Sequence, residues 1–289
     1  GNMYRYCACH HLHGCCSITA TRREEKCMAA DPDIGERFYR DTDPAYRAWK
    51  QTNQGGIMNS ASEQLARMVW ELGALKTKDH PTAVVRGDER GFLLKAHESN
   101  PNLPLSPFYL NLRTPDNPKP GPLTQEFVDL AAKTMRTMVD QFGVEYRYVV
   151  GIPNAGDPFA ASLEWDWGGV DVLHLGKHVG AMDRKILGLK EADRQSARGQ
   201  KCLLVDDLVT QAGTKIEAVD ALRMDGALVT DLVVLVDREQ GGVAELANHS
   251  GVVTHSVLQI SQLLKFYHQD MHCMSDAVYA ELTQYLGLQ

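Results

Sequence analysis

The sequence predicts an α/β protein built on a parallel sheet of about five strands flanked by helices. Apolar, β-rich runs recur at 146–150, 170–175, 202–205, 228–236 and 252–258. Helix-compatible segments lie between most of them. The chain has 289 residues, 44% of them apolar, enough to cover both faces of such a sheet. Continuous apolar runs, rather than alternating ones, suit strands buried on both sides. Ligands in these sheets bind beyond the carboxyl ends of the strands, so the loops after each run are where chemistry is expected.

Composition removes several classes. Ordinary apolar content and a net charge of −7 exclude a disordered chain. The same acidic balance argues against a duplex-DNA binder, which needs Lys and Arg to neutralise phosphates. No stretch of about 18 uncharged apolar residues is present, so no membrane partner is expected. Five of seven cysteines, Cys7, Cys9, Cys15, Cys16 and Cys27, fall in the first 27 residues. The body, with only Cys202 and Cys273, reads as reduced and cytoplasmic.

Residues 1–57 read as an extension outside the core fold, with Gly1 and Asn2 as a cloning scar before Met3 and Met58 as a natural start for the main domain. The run CACHHLHGCC at 7–16 holds zinc-ligand residue types, but at a spacing that does not wrap a tetrahedron. Ser60 to Glu63 is a capping-box pattern ahead of Leu65, Met68, Val69 and Leu72 at helical spacing, and Gly73 is placed to stop that helix. Residues 82–113 read as extended chain interrupted by a Pro-rich stretch at 100–107. Thr124 is placed to cap a helix with Phe127, Leu130, Ala131, Thr134 and Met138 on one face. A last helix spans about 275–286.

The most informative string is CLLVDDLVTQAGT at 202–214. A buried strand ends in Asp206 and Asp207. A small-residue loop, Thr210, Gln211, Ala212, Gly213 and Thr214, then opens a helix bearing Ile216, Val219 and Leu222. Small residues let backbone N–H groups approach a phosphate, hydroxyls add donors, and a helix N-terminus favours an anion. The two acids are acceptors for vicinal ribose hydroxyls, or for a metal bridging them. The same pattern also suits an ordinary strand–turn–helix with solvated acids.

The whole string resembles the phosphoribosyl-pyrophosphate motif of the type I phosphoribosyltransferases. Other segments are similar to the orotate phosphoribosyltransferases within that family: ELGALKT at 71–77 and GFLLKAHES at 91–99 as an N-terminal strand pair, SPFYLNLR at 106–113, VVGIPNAGDPFA at 149–160, and VLVDREQGG at 234–242. The resemblance covers about residues 58–265. It implies a hood at about 58–122, a core at about 123–265, and one domain over 58–289.

The resemblance further implies that Asp206 and Asp207 hold the ribose hydroxyls and that Thr210, Gln211, Ala212, Gly213 and Thr214 hold the 5-phosphate. Asn154, Ala155 and Gly156 would present backbone to the pyrophosphate. Lys95, the main chain at Phe108 and Tyr109, and Arg238 would line the orotate pocket. A planar carboxylate with imide edges suits a forked cationic donor. Lys177, Arg184, Lys185 and Asp207 are the catalytic candidates. Mg²⁺ would enter on the substrate, with Asp206 and Asp207 as the only protein groups placed to touch it, and the active form would be a homodimer.

The sequence departs from the family at two places. The family's mobile loop carries an Arg-Lys pair and then a Lys-Asp pair. Here Lys177 follows Gly176, and the second pair falls on Gly180 and Ala181. Asp157 stands where an apolar residue is usual. Three functions are compatible with these residues: transfer of a phosphoribosyl group to orotate, binding of phosphoribosyl pyrophosphate or a nucleotide by a catalytically impaired sensor, and transfer to another base.

Overall fold

The computed structural model describes residues 58–94, 96–179 and 184–288. The extension at 1–57, with its Cys/His cluster, lies outside the described residues.

Ten strands and nine α-helices are found among the described residues. The hood comprises α1 (Ser60–Glu71), β1 (Leu75–Thr77), β2 (Val84–Arg86), β3 (Glu89–Gly91), α2 (Ala96–Ser99) and β4 (Phe108–Leu110). The core runs through α3 (Gln125–Asp140), β5 (Tyr148–Gly151), α4 (Asp157–Trp167), β6 (Asp171–Val179), β7 (Arg184–Leu189), α5 (Glu191–Ala197), β8 (Lys201–Val209), α6 (Gly213–Met224), β9 (Leu228–Asp237), α7 (Gly242–Ser250), β10 (Val253–Gln259) and α8 (Ile260–Lys265). A π-turn at Phe266–Asp270 leads to α9 (Asp276–Leu286).

The main sheet has six strands in the order β10-β9-β8-β5-β6-β7. Five are mutually parallel, at the positions of the five apolar runs. The sixth, β7, is an antiparallel edge strand paired to β6. It corrects the expectation that 175–185 forms a loop. Ile186 and Leu189 are buried on β7, and β6 continues past Leu175 to meet it. The sheet separates two apolar layers. Val149, Leu203, Val205 and Val233 face the layer made with α1, α3 and α4. Tyr148, Val150, Leu204 and Val234 face the layer made with α6 and β7. This alternation is the pleat of strands buried on both faces.

Helix α3 starts where expected, its Phe127 N–H donating to the Thr124 hydroxyl at 3.3 Å. For α1 the cap is one residue earlier than the pattern suggested: Asn59 Oδ1 accepts from the Ser62 N–H at 2.9 Å. Gly73 follows that helix at φ +66, a conformation that suits glycine. The hood docks on the core where Tyr267 donates its hydroxyl to the Ala66 carbonyl at 2.8 Å and packs its ring on Trp70.

The hood pairing also differs from expectation. Residues 71–77 and 91–99 do not form a strand pair. Instead β1 pairs antiparallel with β4, with Thr77 opposite Phe108, and β3 pairs with β2. The reason is burial: Leu75, Phe108 and Leu110 all enter the core, whereas β2 and most of β3 are exposed. Residues 96–99 form one helical turn.

Candidate active site

The carboxyl ends of β5, β6, β8 and β9 converge with β4 of the hood. Strand β8 delivers Asp206 and Asp207, 4% and 9% exposed. Asp206 is tied on both oxygens. Its Oδ2 meets Lys215 Nζ at 2.7 Å, and its Oδ1 accepts the Asp207 N–H at 2.9 Å. Burial, then the neighbouring Asp206 charge, pushes the Asp207 carboxyl up to about 8, against the opposing pull of Lys215 and Arg113. Neither Lys215 nor Arg113 was picked out from the sequence. Arg113 ends the SPFYLNLR string, and its Nη1 donates to the Tyr109 hydroxyl at 2.9 Å.

The loop after β8 behaves as a small-residue loop should. Ala212 is buried, Gln211 and Gly213 are exposed, and Thr210 and Thr214 are half-buried. Helix α6 begins at Gly213 with no side chain capping its first turn. The Ala212 N–H donates to Glu245 Oε2 at 2.9 Å, so one loop amide already faces a carboxylate from α7. The REQGG stretch braces this loop. Gly242 N–H donates to the Thr210 carbonyl at 3.0 Å, and a Cβ on Gly242 would lie 2.6 Å from that oxygen.

The pyrophosphate-loop candidates follow β5. Asn154 is exposed and Ala155 half-buried, consistent with a ligand-facing turn. Gly156 departs from its expected role, since its N–H donates to the Ile152 carbonyl at 2.9 Å. Its contribution is space: a Cβ there would lie 2.3 Å from the Val205 carbonyl oxygen. Lys177 leaves β6 and folds onto this turn, its Nζ donating to the Pro153 carbonyl at 2.7 Å and lying 3.4 Å from Asn154 Oδ1. Asp157 sits at the start of α4. Burial raises its pKa, opposed by His174 and Lys177 and reinforced by Asp206. Arg184 and Lys185 lie on β7 opposite Val179 and His178, with the Lys185 side chain exposed. Residues 180–183, where the family's second basic pair would fall, lie outside the described residues.

The base-pocket candidates also meet. Arg238 follows β9 and is 3% exposed. Its guanidinium lies over the Phe108 ring, 4.4 Å from the centroid. Nε and Nη2 are buried without a hydrogen-bond partner. Its main-chain N–H donates to Val209 O at 3.0 Å, which fixes it beside the phosphate loop. Burial lowers the guanidinium to about 10, so it stays charged at neutral pH. The Phe108 carbonyl accepts from Ser106 Oγ at 2.6 Å, and Tyr109 stacks on Phe92. Lys95 lies outside the described residues.

A phosphoribosyl transferase domain matches residues 171–269. The chain is 28% identical to the orotate phosphoribosyltransferase of Sulfurisphaera tokodaii over 165 residues, 56% of this chain and 75% of that protein. Among solved structures, UMP synthase of Leishmania donovani aligns at a TM-score of 0.57 and 22% identity, covering 86% of this chain; the chain spans about half of that one, 48%. Orotate phosphoribosyltransferase of Mycobacterium tuberculosis aligns at a TM-score of 0.50 and 22% identity, over 70% of this chain and 98% of that one. The fold is that of these solved structures, and the matched domain points to a phosphoribosyltransferase-type enzyme. The chain is similar to the phosphoribosyltransferases over residues 171–269, and the curated relatives it matches there and beyond are orotate phosphoribosyltransferases.

Proposed function

We propose that this protein transfers the phosphoribosyl group of phosphoribosyl pyrophosphate to orotate, giving orotidine 5'-phosphate and pyrophosphate. The observation that carries the reading is Arg238. A guanidinium that is 3% exposed, with two nitrogens unpartnered, leaves donors desolvated at a cost of about 1–3 kcal/mol each. A planar carboxylate seated on Phe108 would satisfy them in the forked geometry that Arg favours.

The reaction breaks the bond between C1 of the ribose and the pyrophosphate oxygen and forms one from C1 to a ring nitrogen of orotate, which gives up its proton. The residues act by position and charge. The uncapped start of α6 and the Thr210–Thr214 loop receive the 5-phosphate. Asp207 receives ribose hydroxyls. Lys177, with the turn at Asn154 and Ala155, meets the charge that develops on the departing pyrophosphate. Mg²⁺ carried by the diphosphate would neutralise that leaving group further. Arg184 and Lys185, on the β6–β7 arm, are assigned to the closing cover of a homodimeric, cytoplasmic enzyme, with residues 58–289 as its catalytic unit.

The test of the pocket is Arg238→Met assayed with orotate varied at saturating phosphoribosyl pyrophosphate. A large rise in the KM for orotate supports the reading, and an unchanged KM removes it.

A further inference from the structure

The acid pair that ends β8 already has a cation. Lys215 is the third residue of α6, and the helix turns it inward, leaving it 8% exposed. A lysine this buried persists only when its charge is paired. Its partner is Asp206, at 2.7 Å, and that carboxylate's second oxygen is taken by the Asp207 amide. Sequence alone suggested two open acceptors, or two ligands for a bridging metal. The structure leaves one.

This bears on the divalent ion that the family's chemistry calls for. A hard cation such as Mg²⁺ or Mn²⁺ needs several free oxygens, commonly from more than one carboxylate. Among the described residues no group of three His, Cys, Asp or Glu is arranged to hold a metal. Each Asp206 oxygen already accepts one hydrogen bond, and Lys215 places a positive charge where a second cation would be repelled. The acid pair does not fit a resident metal.

We propose that Lys215 is the built-in counter-cation of the acid pair. It holds Asp206 in place as a positioning residue, leaves Asp207 as the only carboxyl offered to the ribose hydroxyls, and keeps divalent ions off the protein until the diphosphate brings one. The ribose half of this rests on the phosphoribosyl reading; the cation half concerns the substrate-free protein and stands apart from it.

The experiment is Mn²⁺ binding to the full chain without substrate, counting only sites lost on Asp206→Asn. That control sets aside any metal taken by the cysteines and histidines of residues 7–16. The wild type is expected to show no such site. Lys215→Met frees the Asp206 carboxylate beside Asp207 and should gain one, with affinity at least about tenfold above wild type. Lys215→Arg keeps the charge and should gain none. A tight, Asp206-dependent Mn²⁺ site in the substrate-free wild type overturns the proposal. So does a folded Lys215→Met that binds no better than wild type. Should Lys215→Met unfold, recovery of its melting transition by Mn²⁺ supports the proposal, and indifference to Mn²⁺ overturns it. Failure of orotate transfer leaves these outcomes readable.

Discussion

Arg238 lies over the Phe108 ring, with its guanidinium carbon 4.4 Å from the ring centroid. The two residues come from opposite parts of the chain: Phe108 from a three-residue hood strand, Arg238 from the end of a core strand. Their contact ties the hood to the phosphate loop, because the Arg238 amide is bonded to Val209. A base pocket made this way exists only when hood and core are docked.

Replacing Arg238 should therefore affect one substrate more than the other. Arg238→Met removes two charge-assisted hydrogen bonds worth about 1.5–3 kcal/mol each, so kcat/KM for orotate should fall by roughly 10²- to 10⁴-fold. The KM for phosphoribosyl pyrophosphate should change little. Arg238→Lys keeps a charge but not the fork, and should recover only part of the loss. Equal losses for both substrates would show that the stack braces the core rather than the base.

In the proposed reaction the pyrophosphate side depends on Lys177. Its ammonium is held by the Pro153 carbonyl, next to Asn154. Lys177→Ala should lower kcat by roughly 10²- to 10³-fold, the usual consequence of removing a donor aimed at developing charge, with the KM for orotate nearly unchanged. Rapid-quench measurement of pyrophosphate release checks this, and a normal single-turnover rate would refute it.

Gly242 tests the link between the REQGG stretch and the phosphate loop. A methyl group placed 2.6 Å from the Thr210 carbonyl must push that backbone aside. Gly242→Ala should cost about 1–3 kcal/mol of stability, read from the denaturant midpoint, and should raise the KM for phosphoribosyl pyrophosphate. An unperturbed midpoint would mean that the loop yields freely.

Asp207 gives a pH signature. Its folded-state pKa lies near 8, raised first by burial, against about 3.9 for an unfolded aspartate. The folded state therefore binds a proton that the unfolded state has lost. Its contribution to stability is fully present below about pH 4 and is lost as pH rises through 8. Asp207→Asn should flatten the fall in melting temperature of the ligand-free protein across that window. An identical pH profile for variant and wild type would place the titration elsewhere.

How far the sequence alone reached varied with the physics. The five parallel strands were legible because each is a continuous apolar run that only a doubly covered sheet accommodates. Strand β7 was not, since Arg184 and Lys185 at its start and Gly188 within it mimic a polar loop. The hood pairing was hidden because three-residue strands carry no period to read. Asp206, Asp207 and the loop to Thr214 were legible as one string. Lys215, next in that string, was passed over because a lysine in the first turn of a helix ordinarily points to solvent. Arg113 gave no signal beyond its place in a matched segment, since its proximity to Asp207 is created by the fold.

Transfer at this site is tested most directly by turnover. The full chain is mixed with phosphoribosyl pyrophosphate, Mg²⁺ and orotate, and pyrophosphate release is followed together with loss of orotate, alongside a panel of other bases. Equimolar pyrophosphate and orotidine 5'-phosphate are expected, with orotate preferred. Binding of phosphoribosyl pyrophosphate with no turnover at high enzyme concentration, or turnover with another base alone, would contradict it.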